Sequence, residues 1–422
     1  MYDVIVIGGG PAGMMAAVNA AKEGATTILF EKGNALGRKL SITGGGRCNV
    51  TSNLSVEEII KNIPGNGKFL YSAFSIFDNK DIISFFKKSG VNLKEEDNGR
   101  MFPEDDQSST IINAFIKNLK KNKVVISCNS SVDSLIVKDN IIKGVQLTSG
   151  EKIYSKAVVI AVGGKSIPTT GSTGDGYKWA KEVGHTVTPL YPTESPLVSQ
   201  EKFIIDRTLQ GLSLQSIELS VVNPKGKKIV THSHDLIFTH FGISGPAALR
   251  CSQFIRQVKE KFKVGHVTLE LDCLPKMTKD EFLSELLRLH KEEPRKSFKN
   301  VLKLFIPERL AEFFLNNLGI DLQAQLMNVK KDTIVNITNL IKGFTFTVTD
   351  TLGFDKAFVT GGGVSTKEIN PKEMSSKIVS GLYFCGEVID IHAYTGGFNI
   401  TAAIITGKVA GSSAGKYTKI PF

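Results

Sequence analysis

The chain reads as an α/β protein whose ligand-binding body is assembled from both ends of the sequence, with a β-rich insert and a helical insert between them. Three observations predict this: the glycine map, a strand–turn–helix unit at the start, and a strand followed by a glycine-led helix near the far end. The 422 residues contain 40 glycines. Ten fall within residues 1–50 and eleven within 353–422, whereas residues 185–342 hold six. Turns that approach a ligand closely need glycine, because a side chain would block the backbone. The two glycine-rich ends therefore belong to one body, and the glycine-poor middle is an insertion.

The first element is the apolar run Asp3 to Ile7, ending in Gly8-Gly9-Gly10-Pro11-Ala12-Gly13 and followed by a helix-forming stretch from Met14 to Glu23 that Gly24 closes. Gly8 permits the tight turn, Gly10 lets a pyrophosphate approach the backbone, and Gly13 lets helix and strand pack closely. Pro11 and Ala12 lie within this turn, and the N-terminus of the helix that follows offers free N–H groups and a positive dipole to the phosphates. A second strand, Thr26 to Phe30, ends in Glu31, 18 residues beyond Gly13. A carboxylate there accepts hydrogen bonds from both ribose hydroxyls and repels a 2′-phosphate. The context is a Rossmann-like dinucleotide-binding unit, with Lys32 beside its acidic residue.

The next elements choose between dinucleotides. A β-meander spans Val124 to Ile153, and its likeness to flavoprotein folds implies that Val132 contacts the adenine through backbone atoms. The buried strand Ala157 to Val162, which includes Ala161, ends in Gly163-Gly164 and returns the chain to the binding body. At the far end, Gly381 to Cys385 is an apolar strand ending in Gly386-Glu387, and Thr395-Gly396-Gly397-Phe398-Asn399-Ile400 leads into a helix reaching about Ala410. This stretch resembles flavoproteins of the two-dinucleotide-binding type, in which the last helix points its N-terminus at the flavin pyrimidine. The dipole there stabilises negative charge at N1 and O2 of a reduced flavin. FAD is therefore the expected cofactor.

The middle divides by pattern. Short β-rich stretches such as Ile217 to Val222 and Val267 to Asp272, separated by turns such as Asn223-Pro224-Lys225-Gly226, predict a barrel-like insert that one helix interrupts after Ser244-Gly245-Pro246. From Met277 to Ile341, Phe282, Leu283, Leu286, Leu287, Val301, Leu302, Phe305, Leu310, Phe313 and Phe314 recur at spacings of three and four, the mark of helices. The expected domains are 1–188 with 353–422 for FAD, 189–276 with 342–352 for the β-rich insert, and 277–341 for the helical insert subdomain.

Composition limits the function classes. There are 52 basic against 41 acidic residues, a formal net charge of +11. The densest basic stretches, Lys117 to Lys123, Lys225 to Lys228 and Lys259 to Lys263, read as helix faces and turns without interleaved aromatics, so a nucleic-acid partner is not expected. Five cysteines without a CxxC pair predict neither a zinc ribbon nor a disulfide framework. No basic segment leads into an apolar stretch at the start, and no run reaches about 18 apolar residues, so a cytoplasmic protein without a membrane span is expected.

The blocks Gly37-Arg38-Lys39-Leu40-Ser41-Ile42-Thr43-Gly44-Gly45-Gly46-Arg47-Cys48-Asn49, Gly99-Arg100-Met101-Phe102-Pro103, Phe238-Thr239-His240-Phe241-Gly242-Ile243-Ser244-Gly245-Pro246, Thr360-Gly361-Gly362-Gly363-Val364 and Glu387-Val388-Ile389-Asp390 carry a further likeness. Over essentially its full length the chain resembles the bacterial aminoacetone-oxidase-like or bile-acid-reductase-like NAD(P)/FAD-dependent flavoproteins. The resemblance implies an FAD domain built from both chain ends, with a barrel insert and a helical insert. It departs at Ala393, where members carry glycine.

Several residues are candidates for chemistry. Gly37, Arg38, Lys39, Gly45, Gly46, Arg47 and Asn49 belong to a loop expected to cover the pyrophosphate and the flavin edge, where a guanidinium clamps phosphate oxygens bidentately. Cys48 lacks the neighbouring cysteine of flavin disulfide reductases; it is either a single sulfenate-forming thiol or a small residue in a tight turn. His232 and His234 share a strand face without a third metal ligand, so no metal is expected. His240 is either a substrate-facing acid or a structural histidine. His392 and Tyr394, beside the inferred flavin ring, either deliver the proton that accompanies hydride transfer or pack against the flavin.

The expected function is an FAD-dependent oxidoreductase that moves a hydride through flavin N5 to or from a small molecule. With a single full dinucleotide fingerprint in the chain, NADH or NADPH acts as a transient co-substrate. The alternatives are a flavin oxidase that uses O2 on an amine, an RNA-modifying flavoprotein that uses the positive charge, and a non-enzymatic flavin-binding regulator.

Overall fold

The structure, a computed structural model, describes residues 2–420. Its contacts form two compact units, Met1–Tyr191 with Phe358–Phe422, and Pro192–Ala357.

In the first unit, β1 (Tyr2–Ile7) leads through the glycine turn into α1 (Pro11–Lys22) and then β2 (Thr27–Phe30). Gly24, with φ of 89°, ends the helix as its sequence position predicts. The parallel sheet runs Val125–Ser127, β2, β1, β3 (Lys152–Ile160) and Leu382–Phe384. Ile5 lies opposite both Ile28 and Val158, and Tyr383 opposite Val159, so strands from both ends of the chain meet on β3. That order puts β3 between β1 and the last strand, and doubly wound sheets bind dinucleotides outside the carboxyl ends of such parallel strands. The first half of β3 pairs instead with the antiparallel meander Val132–Lys138 and Ile141–Leu147.

The last helix, Phe398–Tyr417, covers α1. It runs well past Ala410, although Gly407, Gly411 and Gly415, at spacings of four, weaken helix propensity. Those glycines are its packing face. A Cβ on Gly407 would strike the carbonyl of Ala12, one on Gly411 that of Ala16, and one on Gly415 would lie 2.8 Å from that of Ala20. Backbone meets backbone along an Ala-x-x-x-Ala-x-x-x-Ala stripe, so tertiary packing outweighs the local cost of glycine.

The second unit has a seven-stranded sheet in the order Phe344–Val348, Val267–Asp272, Ser213–Val222, Lys228–Phe238, Gly242–Ser244, Leu197–Val198 and Asp350–Thr351. Its two outermost strands are separated in sequence by Thr349 alone, so the sheet curls back on itself as the barrel-like pattern predicts. The helix Pro246–Phe262 packs on Ser213–Val222 and Lys228–Phe238. Helices Lys279–Glu292, Glu308–Asn317 and Lys331–Lys342 share one core with the sheet, centred on Phe203, Phe238, Phe313, Phe314, Phe344 and Phe346. The helical stretch therefore has no core of its own. Among the described residues no helix is long and apolar enough to cross a membrane.

Because Gly411 has no room for a Cβ, Gly411→Val should lower stability by about 3 kcal/mol, the upper range for overpacking. Thermal unfolding checks this against Gly265→Ala, which meets open space and should leave the midpoint in place.

Candidate functional site

The glycines of the opening turn divide by what surrounds them. A Cβ on Gly13 would run into the carbonyl of Gly8, and Gly8 itself, with φ of 107°, abuts the backbone of Ala161. Gly10 is different: nothing in the protein lies within 4 Å of a Cβ placed there. The protein needs the first two for its own packing and leaves the space over Gly10 free. Gly10 is the N-cap of α1, and no side chain caps the helix, so its first N–H groups and positive dipole end face that space. Pro11 and Ala12 follow as the first helical residues.

Glu31, at the end of β2, holds its carboxylate across the turn. Oε2 accepts the Gly9 N–H and Oε1 the Gly33 N–H, both at 2.7 Å. Lys32 is paired with Asp175 at 2.7 Å. Val132 opens the outer strand of the meander, and its neighbour Asp133 accepts the Trp179 indole N–H through its carbonyl.

The loop after Gly37 (φ 73°) lies against the return segment after β3. Arg38 donates to the Thr169 carbonyl at 2.8 Å, and Lys39 to Ser166 Oγ at 2.8 Å and Glu387 Oε2 at 3.0 Å. Glu387 is the hub of this region. It also accepts the Gly164 N–H at 3.2 Å and the Thr360 N–H at 2.8 Å, while Thr360 Oγ1 accepts the Lys165 and Ser166 N–H groups. Three separate stretches, around Lys39, Gly164 and Thr360, are thereby fixed to the carboxylate of Glu387, with Ala161 and Gly163 on the same return segment as Gly164. In the sequence Thr360 stands only at the head of a run of three glycines. Its bonding role has no sequence periodicity to reveal it.

Gly44, Gly45 and Gly46 all take positive φ, and Gly45 and Gly46 have open space where a Cβ would be. Arg47 turns away from such a surface: it pairs with Glu96 at 2.7 Å and Asp106 at 3.3 Å and lies over the Phe102 ring at 4.2 Å. Its guanidinium thus serves the sheet Thr51–Ser52, Arg100–Pro103 and Leu93–Glu96. Cys48 is fully buried, and burial pushes its thiol up to about 12, so it is not a thiolate at neutral pH. All five cysteines are free thiols.

Asn49 is 93% buried, and its Oδ1 has no hydrogen-bond partner within the protein. A Cβ on Gly397 would lie 2.8 Å from that oxygen. Gly397 (φ 89°) is the N-cap of the 20-residue last helix, again without a side-chain cap. An uncapped helix N-terminus and a desolvated amide thus adjoin each other. Phe398, Asn399 and Ile400 form its first turn. Asn399 folds backward, accepting the Ala393 N–H at 2.9 Å and donating to the Ala393 and Tyr394 carbonyls, which fixes the loop before the helix. Gly386 (φ 75°) donates to Thr406 Oγ1 on the same helix.

Of the three proposed proton donors, two share this unit. His392 is buried, and burial lowers it to about 4, so its imidazole is neutral at physiological pH. Its Nε2 lies 3.4 Å from the Tyr191 hydroxyl. Tyr394 is buried and donates its N–H to the Asn62 carbonyl. His240 belongs to the second unit, exposed on the turn between Lys228–Phe238 and Gly242–Ser244. His232 and His234 are each lowered to about 4, first by burial and then by Arg250. Among the described residues no three His, Cys, Asp or Glu side chains cluster as metal ligands would.

These residues fit a flavin dinucleotide: an open backbone cradle at Gly10, the Glu31 carboxylate at the end of β2, and an unpartnered buried amide oxygen beside a second uncapped helix N-terminus. Comparison with known proteins agrees. The chain is 32% identical to a ribosomal RNA dihydrouridine synthase of Haemophilus influenzae and 32% to one of Escherichia coli K12, each over 94% of both chains. It is 27% identical to the 3-dehydro-bile acid delta(4,6)-reductase of Clostridium scindens, over 98% of this chain and 99% of that one. Among solved structures, the Mycobacterium smegmatis Sdh1 complex in its apo form shares the fold with a TM-score of 0.51 at 16% identity, covering 100% of this chain and 69% of that one. The model of the HI0933-like protein Rossmann domain matches residues 2–413, and the chain belongs to that family of FAD-binding oxidoreductases.

Proposed function

We propose that the protein is an FAD-dependent reductase that saturates a carbon–carbon double bond conjugated with a carbonyl, with NADH or NADPH as donor, and that its substrate is a uracil of ribosomal RNA. The observation that carries this reading is that three full-length relatives bear names describing one bond change. Dihydrouridine is uridine with its 5,6 double bond saturated, and that bond is conjugated with the C4 carbonyl. A 3-dehydro-delta(4,6) bile acid likewise presents double bonds conjugated with its 3-carbonyl. Both are electrophilic at the β-carbon and become basic at the α-carbon. The net charge of +11 suits a polyanionic substrate better than a carboxylated steroid. The second reading, a small enone as substrate, is favoured by the Clostridium scindens relative, similar over nearly the whole of both chains.

FAD, when bound, supplies two-electron hydride chemistry at N5. The α1 N-terminus over Gly10 would take its pyrophosphate, Glu31 its ribose hydroxyls, and the backbone around Val132 its adenine. The last helix, entered at Gly397, would face the pyrimidine carbonyls, with Asn49 supplying an acceptor for an N–H. Lys39, held between Ser166 and Glu387, keeps the covering loop closed over this region. Arg38 and the glycines at 45 and 46 complete that cover. The buried thiols take no part, since none is poised as a thiolate. The nicotinamide donor would visit transiently, because the chain has a single full fingerprint.

The FAD-loaded protein incubated with in-vitro transcribed ribosomal RNA and NADH or NADPH should produce dihydrouridine, read by mass spectrometry of digested RNA as a gain of two hydrogens. Reduction of 2-cyclohexenone with no RNA product would replace this reading by the second, and inactivity on both would sink both. Gly10→Ala should fold with unchanged stability, since the protein leaves that space open, yet bind FAD at least about ten-fold more weakly, equivalent to ~1.4 kcal/mol. Equilibrium titration with FAD and a parallel melting curve check this.

A further inference from the structure

Tyr191, which sequence reasoning passed over, stands in an environment built around its ring. Its hydroxyl lies 3.4 Å from Nε2 of His392, and the two rings meet edge to face with centroids 5.6 Å apart. Each ring rests on a glycine. A Cβ on Gly361 would collide with the Tyr191 ring, and one on Gly65 would collide with the His392 imidazole. Gly65 and His392 also bond to each other through their backbones, Gly65 N–H to the His392 carbonyl at 3.0 Å and the reverse at 3.4 Å. Gly65, Tyr191, Gly361 and His392 come from four distant stretches of sequence, so the pairing of phenol and imidazole is a product of the fold.

The two partners differ in exposure. His392 is 4% exposed, whereas Tyr191 is half-buried and keeps access to solvent. We propose that Tyr191 is the proton donor of the reduction and that His392 is the positioning residue that holds its hydroxyl. The proposal rests on the reductase reading above. As hydride joins the β-carbon of the conjugated bond, the displaced electron pair moves toward the carbonyl and leaves the α-carbon basic. The O–H bond of Tyr191 then breaks, its proton bonds to that α-carbon, and the phenolate left behind is held by the Nε2–H of His392. Water returns a proton to the half-buried phenolate. Hydride from the reduced cofactor and proton from Tyr191 account for both added hydrogens.

His392 suits this part because it is neutral: burial holds it to about 4, against the opposing pull of the Glu387 carboxylate. A neutral imidazole has one N–H to give, and directed at Tyr191 it stabilises the phenolate form. Asp390, two residues before His392, is itself raised by burial and accepts hydrogen bonds from Thr188 and Asn66. A hydrogen bond of 3.4 Å before substrate binds is of the loose kind that shortens when charge develops on the oxygen.

The test uses the FAD-loaded protein and its Tyr191→Phe and His392→Leu variants. Each is reduced by NADH or by light without oxygen, then mixed with in-vitro transcribed ribosomal RNA or with 2-cyclohexenone. Tyr191→Phe should keep its FAD and its rate of flavin reduction but lose about 100-fold or more in the rate of flavin reoxidation by the acceptor, the usual worth of a general acid. Reoxidation at the unmodified rate overturns the proposal. If neither acceptor reoxidises the unmodified protein, the reductase reading has failed instead. The pair is then decided without turnover, by ultraviolet difference titration of tyrosinate. The Tyr191 signal, identified by its loss in Tyr191→Phe, should appear at lower pH in the unmodified protein than in His392→Leu. Coincident titrations overturn the proposal.

Discussion

The spacing between the first helix and the last is the constraint from which the binding body follows. Gly407, Gly411 and Gly415 let one helix backbone rest on the carbonyls of Ala12, Ala16 and Ala20. A single methyl group at the centre of that contact would push the helices apart. Because each helix begins at a glycine N-cap, Gly10 in one case and Gly397 in the other, their separation also sets the distance between the two uncapped N-termini. A rigid dinucleotide that meets both ends needs that distance fixed. Close backbone packing fixes it more tightly than long side chains, whose rotamers adjust.

A second tie works on the loops. Glu387 gathers an ammonium group, two backbone N–H groups and a hydroxyl from stretches that are remote in sequence. Replacing it would leave those donors facing one another across a partly buried space, where unmet polar groups are costly. The carboxylate that the sequence singled out for a ligand therefore has structural work as well. The two roles are compatible, since a loop must be closed before it can cover anything.

Much of this was legible before the fold was seen. The fingerprint at Gly8 to Gly13 and the acidic residue at 31 are local signals, carried by turn geometry and by one strand length, and the structure places them as the spacing predicts. The strands meeting on β3 were also foreshadowed, because glycine crowding at both ends has a single physical reason. What escaped was non-local. Arg47 is a plain basic residue beside glycines in the sequence, and only the antiparallel sheet brings Glu96, Asp106 and Phe102 to it. Tyr191 carries no motif, and its partner is two hundred positions away. The last helix runs past the expected end near Ala410, because its glycines are a contact surface on α1 and packing carries the helix on to Tyr417. Gly361, noted merely as one of three consecutive glycines, was the available clue to Tyr191, since a flat ring needs a neighbour without a side chain.

The parallel sheet has a consequence in time. Its strand Leu382–Phe384 and the helix that covers α1 come from the last stretch of the chain, while β1 and β2 come from the first. A ribosome emits β1 long before β3 has its second neighbour, so the early apolar strands wait through the synthesis of everything between. The unit Pro192–Ala357, by contrast, is continuous in sequence and holds its own core. It has all its parts while the binding body is still incomplete. Domains fold as units when their residues are present. The inserted unit is therefore the first finished piece of the molecule. The binding body is complete only once Leu382–Phe384 has joined β3 and the last helix has covered α1.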